Sequence, residues 1–224
     1  MSDTVYNCAT CPFKPTDRIC KTDSGRYPDN CPTVKAAKIQ TMALDEYGRE
    51  PVSTFARQAS LQEKDGYANR ESGYENVRPA KPRIEEIFDF IEKMGYSKIG
   101  MAFCIGLRKE AAQVEKLFAS RRLEMVSVIC KVGRVGKEAI GIGDHDKIAA
   151  GEFESMCNPI LQAELLNEAG TEFNVLIGLC VGHDSLFFQY AKAPCTVLAV
   201  KDRVTGHNPL AAIYTLDSYY RALK

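Results

Sequence analysis

The 224-residue sequence lacks the features that would direct its interpretation toward nucleic acids, membranes or secretion. It has no excess charge, because 29 Lys and Arg balance 29 Asp and Glu, whereas a sequence-wide nucleic-acid binder is basic. It has no apolar stretch near the roughly 20 residues of a membrane span. Residues 1–6 have no basic end followed by an apolar run, which predicts no secretion signal. We therefore expect a cytoplasmic protein with neither a membrane nor a nucleic acid as partner.

Sequence motifs for nucleotide binding are also missing. No G-x-G-x-x-G motif follows the first predicted strand. The stretch Gly133-Arg-Val-Gly136-Lys137-Glu138 resembles a phosphate-binding loop, but Lys131 stands where the first glycine is required. Glu138 also replaces the Ser or Thr of that motif. The sequence therefore does not predict a dinucleotide or P-loop function.

Cysteine, in contrast, is abundant, with nine residues. Hydrophobic residues make up 45% of the chain and charged residues 26%, a composition typical of a globular protein. A chain of this length builds a core without disulfide bonds, and thiols stay reduced in the cytoplasm. Metal binding is therefore the leading explanation for so many cysteines. They fall into two sets, Cys8, Cys11, Cys20 and Cys31, and then Cys104, Cys130, Cys157, Cys180 and Cys195.

The first set lies in residues 1–35, a segment too polar to build its own core. Four thiolates around a metal would order it, because the free energy of metal binding then becomes free energy of folding. Cys8 and Cys11 form a C-x2-C pair, whereas ten residues separate Cys20 from Cys31, so this is not the doubled pair of a zinc ribbon. We expect an iron–sulfur cluster or zinc on these four cysteines. Free surface thiols or a redox dithiol are the alternatives.

Residues 36–95 are predicted to form a helical connecting region. Helices are expected from Thr33 to about Tyr47 and from Val52 to Asn69, with Gly and Pro breaking the chain afterwards. A clear amphipathic helix then carries Ile84, Ile87, Phe88 and Ile91 on one stripe and ends at Gly95. We expect this last helix to pack on the following sheet.

Residues 96–224 alternate short apolar runs with helical patterns. The runs are 99–103, 125–129, 173–177 and 195–200, and one of the helices between them shows an apolar stripe of Leu107, Ala111, Val114 and Leu117. A final helix is expected to open at Asn208-Pro209 and to carry Leu210, Ile213 and Leu216. This pattern is typical of parallel strands buried on both faces. It predicts the α/β class, with a three-layer parallel sheet of Rossmann-like or flavodoxin-like type.

The later cysteines follow the ends of the predicted strands. Cys104 and Cys130 come directly after the first two strands, and Cys180 comes shortly after the third. Cys157 precedes Asn158-Pro159, a helix-start signature, and that helix leads into the third strand. In a parallel sheet these places share the carboxyl edge, where open α/β folds bind ligands. We therefore expect these four thiols to converge.

An all-thiolate set of ligands suits zinc or an iron–sulfur cluster. A ligand-binding edge is an unusual place for a purely structural zinc, so we predict a 4Fe-4S cluster on Cys104, Cys130, Cys157 and Cys180. The alternative is that these are ordinary buried cysteines, a common core residue. Cys195 begins the fourth strand at the opposite edge and is expected to be such a cysteine.

Three further residues are candidates for the cleft beside these thiols. His183 lies at a helix start and can donate protons, ligate metal or hydrogen-bond a cluster sulfur. Lys201 follows the fourth strand, where it can hold an anionic substrate or balance cluster charge. Arg134 lies in the Gly-rich connection between Cys130 and Cys157, which is long enough to be a functional lid or a disordered loop. A helix cap, a turn or a solvated charge is the alternative for each of them.

The chain resembles a family of uncharacterised, cysteine-rich metal-binding proteins of anaerobic archaea and bacteria, a domain of unknown function. The resemblance covers nearly the whole chain, and its carriers are Cys8-Ala-Thr-Cys11, Cys20, Cys31, Phe103-Cys104-Ile-Gly, Cys157-Asn-Pro159 and Cys180-Val-Gly-His-Asp184. It implies metal binding and supplies no reaction. An anaerobic source, which the resemblance also implies, favours iron–sulfur chemistry.

The function that these patterns favour is iron–sulfur redox chemistry or electron transfer, and an iron–sulfur-dependent reductase is one form it would take. The partner would be a redox protein or a small-molecule substrate, and a homo-oligomer is left open. Two alternatives stand beside it: a protein that handles metal or sulfur, and a zinc-stapled module that binds a small ligand or a protein partner.

Overall fold

The structure, a computed structural model, describes residues 6–224. Residues 1–5, on which most of the expectation of no secretion signal rests, lie outside the described residues. The chain forms two compact units, one up to Val77 and one over Arg78–Lys224. The first unit contains the N-terminal cysteines, and the second contains the amphipathic helix and the sheet.

The first unit contains three α-helices and a two-residue strand among its described residues, besides short 3-10 turns: α1 (Pro32–Lys35), α2 (Ala37–Tyr47), α3 (Val52–Asp65) and β1 (Tyr67–Ala68). The predicted helix from Thr33 to Tyr47 is therefore wrong as one element, because the backbone leaves helical geometry at Ala36. The predicted end of the next helix at Asn69 is also wrong. That helix stops at Gly66, where a residue with little helix propensity ends the pattern.

The second unit alternates strands and helices, as the apolar runs predict. Its elements are β2 (Arg78–Pro79), α4 (Arg83–Met94), β3 (Lys98–Phe103), α5 (Arg108–Ser120), β4 (Glu124–Ile129), α6 (Pro159–Glu168), β5 (Phe173–Ile177), α7 (His183–Tyr190), β6 (Cys195–Ala199) and α8 (Leu210–Tyr214). Gly95 ends α4 in the left-handed conformation, which is the helix stop that its position predicts.

Strands β3 to β6 form one parallel sheet, in the order β4-β3-β5-β6 among the described residues. The register pairs Phe103, the last residue of β3, with Ile129 of β4 and with Ile177 of β5. These three strands therefore end level with one another. The chain order reverses between β3 and β5, which is the point at which open α/β sheets form a ligand-binding crevice.

Helices cover both faces of this sheet. On one face, the rings of Phe88 and Phe118 join α4 to α5 at 4.7 Å, and Phe90 of α4 lies 5.5 Å from Phe173 of β5. Successive residues of a strand point to opposite faces, so the other face carries Ala102 and Leu176. They belong to a second core that α6 and α7 close, with Val128, Ala163, Leu166 and Phe187. The α/β class is confirmed.

Two details of the helical patterns are wrong. The apolar stripe of α5 ends on the fully buried Phe118, and the predicted Leu117 is 46% exposed. Phe118 is the eleventh residue after Leu107, and eleven residues make about three helical turns, so both lie on the core face. The final helix covers five residues, and Leu210 and Ile213 are both exposed, so the expected apolar face does not pack.

The connection from Cys130 to Cys157 is ordered by its own hydrogen bonds, although the sequence shows no periodicity there. The Met156 amide donates to the Val135 carbonyl at 2.8 Å, and a bridge joins Gly136 to Ser155. The Lys147 side chain is 7% exposed and contacts the carboxylates of Glu138 and Asp144 at 2.6 and 3.2 Å. The loop is therefore ordered, and hydrogen bonds hold its two ends together next to the sheet edge.

The glycines on either side of β5 provide a matched test of packing at the sheet edge. Gly170 and Gly178 have φ values of +68° and +65°, so alanine strains the backbone equally at both positions. A methyl group at residue 178 would lie 2.0 Å from Cδ1 of the buried Leu107, whereas nothing lies within 4 Å at residue 170. We expect Gly178→Ala to lower the free energy of unfolding by about 1–3 kcal/mol more than Gly170→Ala does. Urea denaturation measures this difference, and equal losses would contradict the packing described here.

Candidate functional site

The first two cysteines of the site extend the parallel ladder by one residue. The Cys104 amide donates to the Ile177 carbonyl at 3.0 Å, and the Cys130 amide donates to the Phe103 carbonyl at 2.9 Å. Both side chains are buried, with 6% and 2% exposure. The sulfurs of these two residues are therefore fixed by the backbone of the sheet itself.

A buried glutamine of α6 holds the same two strand ends together. The Gln162 amide nitrogen donates to the carbonyls of Phe103 and Val128, at 3.3 and 2.7 Å. Phe103 directly precedes Cys104, and Val128 lies two residues before Cys130. The Gln162 side chain is fully buried, and its oxygen finds no hydrogen-bond partner in the described part of the chain.

Cys157 reaches the site through the start of α6. The Asn158 side-chain oxygen accepts a hydrogen bond from the Leu161 amide at 3.1 Å, which is the helix cap that the sequence predicts. The Asn158 backbone amide also donates to the Cys130 carbonyl at 2.8 Å. The residue after Cys157 is therefore attached both to the start of α6 and to the end of β4.

Three thiols form a contact chain with Cys130 in the middle. Its thiol lies within hydrogen-bonding contact of both Cys104 and Cys157. The hydrogen bond from Cys130 lowers the pKa of Cys104 to about 5. Burial of the thiol acts in the opposite direction, and the Gly106 amide and Lys201 lower the pKa further. The Cys130 thiol, with Lys131 and His183 nearby, lowers the pKa of Cys157 to about 6. These hydrogen bonds and burial in turn raise the pKa of Cys130 itself.

Cys130 is further held by a backbone donor, because the Ile105 amide donates to its sulfur at 3.3 Å. This amide belongs to the turn that follows Cys104. A backbone donor of this kind stabilises negative charge on a sulfur without bringing a charge of its own.

The fourth thiol, Cys180, is paired with an arginine. The Arg203 guanidinium donates to its sulfur at 3.1 Å, and this hydrogen bond raises the pKa of Arg203. The charges of Cys104 and Cys157 also act on Arg203. The structure therefore brings Cys104, Cys130 and Cys157 into contact and relates Cys180 to them through Arg203. Convergence of all four thiols on one centre stays a prediction.

Two lysines complete the positive surroundings of the thiols. The Lys201 ammonium helps to lower the pKa of Cys104, and an added methyl group on Gly106 would lie 2.9 Å from its nitrogen and 3.9 Å from the Cys104 sulfur. The Lys131 ammonium donates to the Ser155 carbonyl at 2.5 Å and also reaches Cys157. A glycine at residue 106 therefore leaves room for a cation beside the buried sulfur.

His183 is the first residue of α7 and acts electrostatically on Cys157. Its Nδ1 atom is buried and has no hydrogen-bond partner among residues 6–224. A buried polar atom without a partner is unusual and calls for a ligand, an ion or a water. His183 and Lys201 thus lie at the thiols, where the sequence places them.

The other candidates from the sequence lie in different surroundings. Arg134 places its guanidinium 4.9 Å from the ring centroid of Phe153, within the folded loop. Cys195 begins β6, and burial raises the pKa of its half-buried thiol. Its sulfur lies 3.2 Å from the Ala193 carbonyl.

Sequence reasoning missed Gln162, which carries no signal because a glutamine in an amphipathic helix pattern is normally placed on the solvent face. Arg203 and Lys131 follow strand ends, as Lys201 does, and that position is the signal that marks them in the sequence.

The N-terminal cysteines also come together, in the first unit. Cys8, Cys11, Cys20 and Cys31 all line one cavity of about 100 Å³. All nine cysteines are free thiols. In neither set, as far as residues 6–224 show, do three or more Cys, His, Asp or Glu side chains already surround the position of a single metal ion.

Helices long and apolar enough to cross a bilayer do not occur within the described range.

The sequence is similar to a protein family and to a curated protein. The family model described as "Protein of unknown function (DUF1847)" matches residues 31–198. The "Uncharacterized protein MJ0455" of Methanocaldococcus jannaschii is 44% identical over 192 residues, which cover 85% of this chain and 91% of that protein.

The helix cap beside Cys157 gives a prediction about the geometry of the site. We expect Asn158→Ala to lower the free energy of unfolding by about 1 kcal/mol, because the Leu161 amide loses its acceptor. Asn158→Asp keeps an oxygen acceptor at a helix N-terminus and serves as the matched control. Chemical denaturation of the two variants measures the effect. Equal stability of both variants and the unmodified protein would show that the cap does not hold this end of α6.

Proposed function

We propose that this chain, which belongs to the DUF1847 family of proteins of unknown function, is an iron–sulfur protein that transfers electrons, with a 4Fe-4S cluster on Cys104, Cys130, Cys157 and Cys180. The observation that carries the proposal is the contact of Cys130 with both Cys104 and Cys157 at the carboxyl edge of the sheet. Cys180 follows the next strand of the same edge and is held by Arg203, on which the charges of Cys104 and Cys157 also act.

The position of the thiols supports a ligand-binding role. The strand order β4-β3-β5-β6 agrees with the first four strands of a flavodoxin-like sheet, which is the finer fold type that we propose. In such sheets the ligand binds where the chain order reverses, here between β3 and β5. Cys104 and Cys180 follow these two strands, so they flank that crevice.

The chemistry of the donors supports a soft metal centre. Thiolates select zinc, copper(I) or iron–sulfur clusters over hard cations. Arg203 hydrogen-bonds Cys180, and Lys201 and Lys131 help to lower the pKa values of Cys104 and Cys157. These three cations offset the negative charge that four thiolates bring to a partly buried site. Iron–sulfur centres are also tuned by hydrogen bonds to their sulfurs, and the Ile105 amide and Arg203 supply two such donors.

His183 supplies the test of fit. Its buried Nδ1 has no partner within the described residues, and the imidazole acts on Cys157. A sulfur or other acceptor of a bound group would satisfy this nitrogen when it carries the proton. A bound group at the thiols that offers such an acceptor is therefore compatible with the residues present.

Each residue of the site has a definite task in this proposal. The four cysteines would bind the cluster, and Gln162 keeps the ends of β3 and β4 in place. Lys201 and Arg203 offset the negative charge of the thiolates. When bound, the cluster would supply one-electron transfer between a reduced carrier and an oxidised acceptor. A protein that carries electrons, or a small anionic acceptor beside Lys201 and Arg203, suits the charge of this edge.

Metal or sulfur handling is the second candidate, and the state of Cys180 favours it. This thiol is partly exposed and is bound by Arg203, whereas the other three thiols contact one another. A centre with one such ligand can open and release its contents. Stoichiometric metal that resists chelation under anaerobic conditions would contradict this alternative.

The cluster itself is tested by a pair of cysteine variants in the same unit. Anaerobically purified Cys130→Ser is expected to lose about four iron atoms per chain, together with the dithionite-bleachable visible absorption of the sheet-edge cluster, because one thiolate ligand is gone. Cys195→Ser is the control, since Cys195 lies at the other edge of the sheet, and it should keep both. Zinc in place of iron in the unmodified protein, with no visible absorption, would overturn the proposal.

Arg203 gives a second test with a readout that folding alone does not move. Its guanidinium donates to Cys180, so Arg203→Gln removes a positive charge that favours the added electron. We expect the midpoint reduction potential of the centre to fall. Arg122→Gln, an exposed arginine before the start of β4, is the matched control and should leave the potential unchanged. Identical potentials in the two variants would remove Arg203 from the proposed site.

A further inference from the structure

The N-terminal cysteines form a second site in the first unit, and it does not depend on the proposed function of the sheet edge. Cys8, Cys11, Cys20 and Cys31 line one cavity of about 100 Å³. We propose that this cavity holds a second iron–sulfur cluster, of the four-iron class, with these four cysteines as its ligands.

The first pair of cysteines is placed by a tight turn. The Thr10 amide donates to the Asn7 carbonyl at 3.2 Å, and the Cys11 amide donates to the Cys8 carbonyl at 3.3 Å. This turn brings two residues that are three apart in sequence to one side of the cavity. A C-x2-C pair on a turn is a common way to present two thiolates to one metal centre.

Cys20 is placed by a closed loop between Asp17 and Arg26. The Arg26 amide donates to the Asp17 carbonyl at 2.6 Å, and the Ile19 amide donates to the Arg26 carbonyl at 3.1 Å. A methyl group on Gly25 would lie 2.3 Å from the backbone of Arg18, so this crossing requires glycine. The loop therefore has a specific backbone geometry, although the segment is too polar to build a core of its own.

Cys31 is the last ligand and stands directly before α1. Its amide donates to the Pro28 carbonyl at 3.0 Å, and its own carbonyl accepts from Lys35 at 2.9 Å. The final thiol is thus attached to the helical part of the unit. A metal centre on all four thiols would tie the turn, the loop and the helix together, and its binding free energy would stabilise the fold of the segment.

The size of the cavity separates a cluster from a single zinc ion. At a zinc–sulfur distance of about 2.3 Å, four tetrahedral sulfurs lie roughly 3.8 Å apart and leave no void between them. A cavity needs only about 10–15 Å³ of such space to admit a water molecule. The cavity that these cysteines line together with eight other residues is several times larger. It has room for a compact cluster of iron and sulfide, whereas a lone ion would require the four sulfurs to close around it.

The charge around the cavity points the same way. Arg18 and Arg26 both line it. The Arg18 guanidinium donates to the Phe13 carbonyl at 2.8 Å, and that of Arg26 lies 4.4 Å from the Phe13 ring centroid. Two anchored cations therefore stand beside the thiolates and offset part of the negative charge of an all-cysteine centre.

The test compares three anaerobically purified full-length proteins for iron, acid-labile sulfide and zinc: the unmodified chain, Cys104→Ser/Cys180→Ser, and Cys8→Ser/Cys20→Ser. We expect about eight iron and eight sulfide per chain in the first, and about half of each in both double variants. The sheet-edge variant keeps an unmodified N-terminal segment, so its remaining iron reports on the second centre even if Cys8→Ser/Cys20→Ser fails to fold.

The outcomes separate the two sites. Iron and sulfide that vanish in Cys104→Ser/Cys180→Ser overturn the second cluster and leave the proposed function standing, as does one zinc without sulfide in that variant. Iron and sulfide that are unchanged in Cys104→Ser/Cys180→Ser but vanish in Cys8→Ser/Cys20→Ser overturn the sheet-edge cluster and support the second one.

Discussion

The level ends of three parallel strands are the constraint on which the sheet-edge site depends. Phe103 of β3 pairs with both Ile129 and Ile177, so the residues that follow the strands arrive at the same height. A slip of one residue in the pairing of β4 would turn the Cys130 side chain to the other face of the sheet. The Gln162 amide, which bonds the Phe103 and Val128 carbonyls, works against such a slip. The position of the sulfurs is thus a property of the sheet rather than of flexible loops.

Charge is the second constraint, because buried thiols are poor sites for negative charge unless something compensates it. Here the compensation comes from different parts of the fold. Lys131 follows β4, Lys201 and Arg203 follow β6, and the Ile105 amide belongs to the turn after β3. Each donor is placed by an element that also places a cysteine or lies beside one. The N-terminal cavity has a similar arrangement on a smaller scale, with two arginines beside four cysteines.

Much of this arrangement could be predicted from the sequence, because buried parallel strands leave continuous apolar runs and the chain marks where they end. Cys104, Cys130 and Cys180 are found from those runs, and Cys157 is found from the Asn-Pro helix start. Contacts that depend on three-dimensional packing leave no such mark. The buried Gln162, the pairing of Arg203 with Cys180 and the exposed Leu117 could not be read from periodicity. The folded loop after Cys130 was missed because scattered ion pairs and backbone bonds hold it.

The central claim is that the thiols at the sheet edge are ligands of one cluster. Anomalous diffraction at the iron absorption edge, from crystals grown anaerobically, tests it most directly because it locates iron relative to each sulfur. The account predicts a compact group of iron atoms bonded to the sulfurs of Cys104, Cys130, Cys157 and Cys180. Four free thiols at this edge in iron-loaded protein, or a single zinc ion bound there, would contradict it.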